Sequence, residues 1–207
     1  MKILFGIITN GKRPAHLLRQ IDSIKALGAP DYEIKVAGIV PSFVDVDKID
    51  MKAEAEAGQL GAMRNALCAS SDADLFIITD DDIRFHADFL EGLAAVDGDV
   101  VCTRMLNPDG TRNWDWVTKG GPRGHKLLEY WETDPYLYCT GGRIVMKRKV
   151  WDAVKWDNER GFNQEEDIDF SRRIQAAGFE IKMNKRSTVT HDDPSYTCMG
   201  LRIYKVR

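Results

Sequence analysis

The chain has no apolar run approaching the length needed to cross a bilayer, and its opening MKILFGIITNGKRP carries no signal-peptide cleavage pattern. Both absences lead to the expectation of a cytoplasmic protein without a transmembrane segment. Positive charge is not in excess: 29 Lys and Arg stand against 32 Asp and Glu, a net charge of −3. No broad basic surface is expected, so nucleic acid is not anticipated as a partner. Cysteine is scarce and scattered. Cys68, Cys102, Cys139 and Cys198 form no C-x-x-C pair, which excludes a zinc knuckle or disulfide framework and fits reduced thiols of the cytosol. What remains is the composition of an ordinary globular protein, and 207 residues suffice for one domain with a substantial core.

Within that domain the pattern pivots on Leu75–Asp82, LFIITDDD. An apolar, β-branched run this short reads as a strand buried on both faces of a parallel sheet. Open α/β sheets place ligands beyond the carboxyl ends of such strands. Three adjacent carboxylates there repel one another unless a cation lies among them, and a divalent metal with oxygen ligands is the economical explanation. A solvated acidic turn would show the same triplet. A metal at this place would in turn suit a nucleoside diphosphate compound.

The rest of the first half supports an alternating β/α order. Residues 2–8 read as a strand, 15–27 as a helix with apolar positions at helical spacing, and 32–40 as a second strand. A right-handed β-α-β crossover then brings the loop Thr9–Arg13 to the sheet edge that carries the triplet. Thr9 and Arg13 are ligand contacts or simple loop residues. The segment 45–57 is left without an assignment. Residues 59–70 read as a helix with Arg64 on its flank, either reaching a diphosphate bidentately or facing solvent.

The second half changes character. Residues 87–96 read as a short helix, and 100–117 as a hairpin about the turn Asn107-Pro108-Asp109-Gly110. KGGPRGH, 119–125, is too glycine-rich to be regular and lacks the Lys-Ser/Thr and helix of a P-loop. Residues 137–147 read as one strand interrupted by Gly141-Gly142, a bulge or a close backbone approach to a ligand. A helix follows Glu165-Glu166-Asp167, with Phe170, Ile174 and Ala177 as its buried stripe and Asp167 turned inward on the same side. Acidic residues in a first turn also simply complement the helix dipole. His191 ends a last strand beside Asp192-Asp193 and is read as a further metal donor.

Taken in order, these segments resemble the GT-A fold glycosyltransferases, most nearly glycosyltransferase family 2. GAMRNALCASSDADLFIITDDD is similar to that family's Arg-Asn helix and D-x-D strand. YCTGGRIVMKRKVWDAV is similar to its Gly-Gly acceptor strand, FNQEEDIDFSRRIQAAGFEI to its Glu-Asp helix, and THDD to its metal-binding histidine. The resemblance implies a single GT-A (Rossmann-like) α/β domain: a mostly parallel central sheet flanked by helices, with a small mixed β subregion for the acceptor. Residues 1–105 would bind the nucleotide sugar, and 106–207 the acceptor. It further implies that Thr9, Arg13, Arg64, Asp80 and Asp81 hold the nucleotide sugar, and that Asp82 and His191 ligate Mn²⁺ or Mg²⁺, with Asp81 a competitor for that bond. Asp167 would be the base, supported by Glu166, and Gly141, Gly142 and Trp114 would meet the acceptor.

The activity so implied is metal-dependent transfer of a sugar from a nucleoside diphosphate donor, a UDP-sugar first, to a hydroxyl of a glycan or small molecule. A base opposite the leaving group gives inversion. The stretch 119–125 and the tail after Asp192 are the expected water-excluding cover. One departure touches the base: Val40-Pro41-Ser42 stands where the family often has an Asp. Three rivals are a sugar-phosphate nucleotidyltransferase, a nucleotide-sugar-binding module without catalysis, and an aspartate-nucleophile phosphatase. The last needs a Thr where this chain has Arg84.

Overall fold

In the computed structural model, which describes residues 1–192, the strands and helices run β1 (Ile3–Thr9), α1 (Pro14–Ala26), β2 (Tyr32–Gly38), β3 (Asp47–Asp50), α2 (Lys52–Ala57), α3 (Leu60–Ala69), β4 (Leu75–Asp80), β5 (Ile83–Phe85) and α4 (Phe89–Ala94) through the first half. They continue with β6 (Val100–Leu106), β7 (Val117–Thr118), β8 (Lys126–Leu127), β9 (Leu137–Tyr138), β10 (Arg143–Lys147), α5 (Arg148–Ala153), α6 (Glu166–Ala176) and β11 (Ile181–His191). Eight strands make one sheet in the order β3-β2-β1-β4-β10-β6-β11-β5, and β8-β7-β9 make a second. Pairing in the large sheet is parallel except where β10 meets β4 and β6 and where β11 meets β5. The small sheet is antiparallel throughout.

Strand alternation builds the layers. Ile3, Phe5, Ile7, Leu75 and Ile77 point to one face and pack with Leu17, Ile21 and Ile24 of α1. Leu4, Ile8, Phe76 and Ile78 point to the other, where Met63 and Leu67 of α3 meet Trp151 of α5 and Phe170 of α6. Both faces are covered, which is why β1 and β4 read as unbroken apolar runs. Gly6 lies on the α3 face, where a Cβ would come within 2.7 Å of Ile78 and 3.3 Å of Leu67. Its missing side chain lets α3 sit close to the sheet.

Register carries this packing to the functional edge. Thr9 pairs with Gly38 and Ile8 with Asp80, so the carboxyl ends of β1, β2 and β4 finish level. Gly38 turns the chain there with φ +122°, and a Cβ on it would fall 1.9 Å from the Thr9 carbonyl. No side chain fits at that position.

Three expectations for the second half are corrected. The hairpin about Asn107–Gly110 forms its turn, but only Leu106 and Arg112 pair across it; β7 departs to the small sheet. The supposedly interrupted strand is two strands in different sheets, β9 in the small one and β10 in the large one, with Gly141-Gly142 at the crossing. Ala177 is exposed, and the buried side of α6 is Glu166, Ile168, Phe170, Ser171 and Ile174. The unassigned segment 45–57 forms β3 and α2. Cys68, Cys102 and Cys139 are free and buried, whereas Cys198 and the expected cover after Asp192 lie outside the described residues. No helix among those residues is long and apolar enough to cross a membrane.

Candidate active site

A cleft of about 760 Å³ opens above the carboxyl ends of β1 and β4. Its walls include Thr9, Arg13, Arg64, Asp80, Asp81, Asp82, Trp114, Gly141, Gly142, Glu166, Asp167 and His191, so every residue singled out from the sequence meets in one place. Four separate accidents of topology achieve this. The end of β4 delivers the triplet, the end of β1 delivers Thr9, and the loop after it delivers Arg13. Because β10 runs antiparallel to β4, its start lies at the same edge, and the Asp80 N–H donates to the Gly142 carbonyl at 3.1 Å. Strand β11 ends beside β5, so the Asp192 N–H donates to the Asp82 carbonyl at 2.7 Å and His191 arrives over Asp82.

The three carboxylates are not equivalent. Asp81 and Asp82 are each 2% exposed. Asp81 accepts from the Thr9 hydroxyl at 2.6 Å and faces the Arg13 Nε at 3.2 Å. Asp82 is paired with the Arg13 guanidinium, and the His191 Nε2 lies 3.6 Å from its Oδ2. Burial pushes the Asp81 carboxyl above its ordinary range, against the Thr9 bond and the Arg13 charge. Asp80 keeps about a third of its side-chain surface (33%) open to the cleft. Its depth in the wall pushes it up to about 7, with Arg64 opposing and Asp82 and Asp81 reinforcing.

Opposite the triplet stands the first turn of α6. Asn163 (φ 63°) and Glu165 (φ 58°) both take left-handed backbone, a conformation unusual for residues with side chains, just before the helix begins. This approach aims Glu166 and Asp167 into the cleft. Asp167 accepts from the Gly141 N–H at 3.0 Å and from the Ile168 N–H at 2.8 Å. Burial, reinforced by Glu166, pushes the Asp167 carboxyl up to about 6, while the Gly141 N–H and Arg64 resist. A carboxylate tuned into that range ionises near neutrality yet accepts a proton readily.

Arg64 ties the two sides together. It is 1% exposed and donates to Glu166 at 3.1 Å, to the Gly141 carbonyl at 2.9 Å and to Asp80 at 3.4 Å. Burial pulls its pKa down, but Asp80 and Glu166 outweigh that, and the net direction is upward. On the outer side, the Trp114 Nε1–H reaches the Tyr138 hydroxyl and His125, each at 3.2 Å. Lys119, from the glycine-rich loop, pairs with Glu165 at 2.6 Å across the mouth.

Several wall residues have no site role assigned from the sequence: Met63, Asn113, Lys119, Phe162, Asn163 and Glu165. Lys119 and Glu165 lay inside stretches already marked, but only coordinates pair residues that far apart. Of the two left-handed residues, Asn163 is of a type that favours that backbone, whereas Glu165 carries no such signal.

No protein-family model matches the chain, and no curated protein sequence does. Solved structures match over nearly its whole length. S. aureus TarS (residues 1–349) superposes with a TM-score of 0.62 at 13% identity, covering 94% of this chain and 61% of that one. GalNAc-T7 with UDP, GalNAc and Mn²⁺ superposes at 0.68 and 13%, covering 93% and 44%. The fold is GT-A-like. At that identity the likeness is one of fold, and this chain spans less than two thirds of either one. The inositol-1-phosphate CTP transferase from T. maritima shares the GT-A-like architecture at a TM-score of 0.55 and 12% identity, covering 94% of this chain and 90% of that one.

Proposed function

We propose that the protein transfers a sugar from a nucleoside diphosphate donor, a UDP-sugar first, to a hydroxyl of a glycan or small molecule, with inversion at the anomeric carbon. The observation that carries this is the opposition of two differently tuned carboxylate groups across one cleft. Asp167, held by Gly141 and pushed up to about 6, faces a triplet whose inner members are already engaged with a cation.

The donor set suits a divalent metal. Asp82 Oδ1 is buried without a partner, while the other oxygen of the same carboxylate lies 3.6 Å from the His191 Nε2. Among the described residues no three carboxylate, imidazole or thiol groups converge closely enough to hold an ion alone. Asp82 and His191 would therefore share it with phosphate oxygens, and one nitrogen among oxygens favours Mn²⁺, with Mg²⁺ a substitute. When bound, such an ion neutralises charge developing on the leaving diphosphate. GalNAc-T7, with UDP, GalNAc and Mn²⁺, supports this choice of donor and ion.

The chain's own residues do the rest. Thr9, Arg13 and Asp80 position the nucleotide at the edge of β1 and β4, while Arg64 acts on it through Asp80. Asp167 takes the proton of the acceptor hydroxyl as the new bond forms, and Glu166 together with Arg64 keeps its carboxylate in place. Trp114 and the backbone at Gly141-Gly142 line the acceptor side. Lys119–His125 is the proposed cover.

The T. maritima neighbour favours one second reading, nucleotidyl transfer, because the present chain spans nearly all of it. The products separate the two: nucleoside diphosphate from sugar transfer, pyrophosphate from nucleotidyl transfer. The decisive experiment is a thermal-shift screen of nucleoside triphosphates, diphosphates and diphosphate sugars with and without Mn²⁺, followed by product analysis with the ligand that stabilises. Pyrophosphate in the products, or stabilisation by no diphosphate compound, ends the glycosyltransferase reading.

A further inference from the structure

We propose that Arg13 is an internal counter-cation: it keeps the dication site closed until a nucleoside diphosphate arrives, then passes its guanidinium to that diphosphate. This rests on the nucleotide-and-metal reading of the cleft and adds an order of assembly to it.

Two adjacent carboxylates, each 2% exposed, demand positive charge nearby. In this structure one side chain spans both, with the Arg13 Nε 3.2 Å from Asp81 and its Nη1 on Asp82. The same Asp82 carries the unpartnered buried oxygen and lies beside His191. Arg13 thus occupies the carboxylates on which an incoming ion depends. A guanidinium and a dication at one carboxylate repel, so the ion binds weakly while Arg13 stays.

Arg13 lies nearer solvent than Arg64. The Arg13 side chain is 26% exposed and enters from the loop before α1, whereas Arg64 is 1% exposed and locked by partners on three segments. Among the described residues too few donors converge to hold a metal alone, and the oxygens of the diphosphate would complete the set. That group also offers the planar, bidentate acceptor that suits a displaced guanidinium. Ion and nucleotide consequently bind as a set.

The test is titration with Mn²⁺, reading the free ion by its paramagnetic resonance signal, alone and with UDP, CDP, GDP or ADP. The parent should bind Mn²⁺ alone weakly and at least about tenfold more tightly with the fitting nucleotide; each charge removed from beside a dication is worth that much or more. Arg13→Met should bind Mn²⁺ alone at least about tenfold more tightly than the parent and gain less from nucleotide. Equal affinity of parent and Arg13→Met for Mn²⁺ alone overturns the proposal, and so does a parent that binds Mn²⁺ equally with and without nucleotide. Should Arg13→Met not fold, Arg13→Lys, which cannot span both carboxylates, must still exceed the parent. If no nucleotide binds either protein, the glycosyltransferase reading falls, while the comparison with Mn²⁺ alone still decides the role of Arg13.

Discussion

Arg64 and Glu166 lie 102 positions apart in the chain and meet at 3.1 Å in a place closed to solvent. The pair joins α3 to α6, and through the Gly141 carbonyl it also holds the loop that bonds Asp167. Removing the cation strands buried negative charge. Arg64→Met should therefore cost about 3–5 kcal/mol, the usual penalty for breaking a buried pair from one side. Urea unfolding checks this; a loss below about 1 kcal/mol would place the pair in water instead.

Asp167→Asn should lower kcat by about 10²–10⁴ while nucleotide binding stays within about twofold, because general-base contributions have that size. Calorimetry with the stabilising nucleotide and a transfer assay separate the two effects. Transfer at the parent's rate would remove Asp167 from the base role and inversion with it. The anomeric configuration of the product, read by NMR, tests inversion directly.

The pH profile follows from the same carboxyl. Its pKa near 6 means the ionised base is depleted below that value, so kcat/KM should drop about tenfold per pH unit on the acid side. Stability runs the other way. Asp167, at about 6, and Asp80, at about 7, are both raised above 3.8, so the folded protein holds more protons than the unfolded chain between these values. Their contribution is fully present below about pH 4 and is lost as pH rises through 6 to 7. The melting temperature without ligand should carry this decline, and Asp167→Asn should flatten it. An unchanged slope in the variant would refute the raised pKa.

Gly38→Ala should destabilise by more than the about 1 kcal/mol typical of a substitution, since its Cβ would overlap the Thr9 carbonyl at 1.9 Å and must also adopt φ +122°. Because Thr9 holds Asp81, nucleotide affinity should fall as well. Gly110→Ala is the control: no atom stands within 4 Å of its Cβ site, and only the positive φ opposes it.

Lys119→Ala breaks an ion pair whose side chains are 35% and 50% exposed, so stability should change by less than about 1 kcal/mol. If the glycine-rich loop covers the cleft, the variant should nonetheless raise hydrolysis of the donor relative to transfer. An unaltered ratio would leave the loop with no part in excluding water.

How far the residues spoke for themselves differed by region. The run Leu75–Thr79 announces a doubly covered strand because both faces need apolar side chains, and the triplet after it marks the edge where the cleft opens. The hairpin about Asn107–Gly110 misled, since a good turn signal does not say whether the strands beyond it stay together. Gly141-Gly142 reads in sequence as a bulge or a close approach to a ligand, and its place at the crossing between two sheets is visible only in the fold. Strand pairing is a long-range choice that local sequence does not encode.

The amino-acid order alone determined which residues were chemically expensive to bury: the carboxylates at 80–82 and 165–167, the arginines at 13 and 64, the histidine at 191. Desolvation makes such groups conspicuous wherever the neighbouring pattern is apolar. Only the tertiary structure decided which of them answer one another. Arg64, open to either a nucleotide or a surface role, became the buried link to Glu166, and Arg13 became the partner of Asp81 and Asp82. Pairing of charges depends on distances of a few ångströms between segments far apart in the chain, and those distances exist only after the sheet has chosen its order.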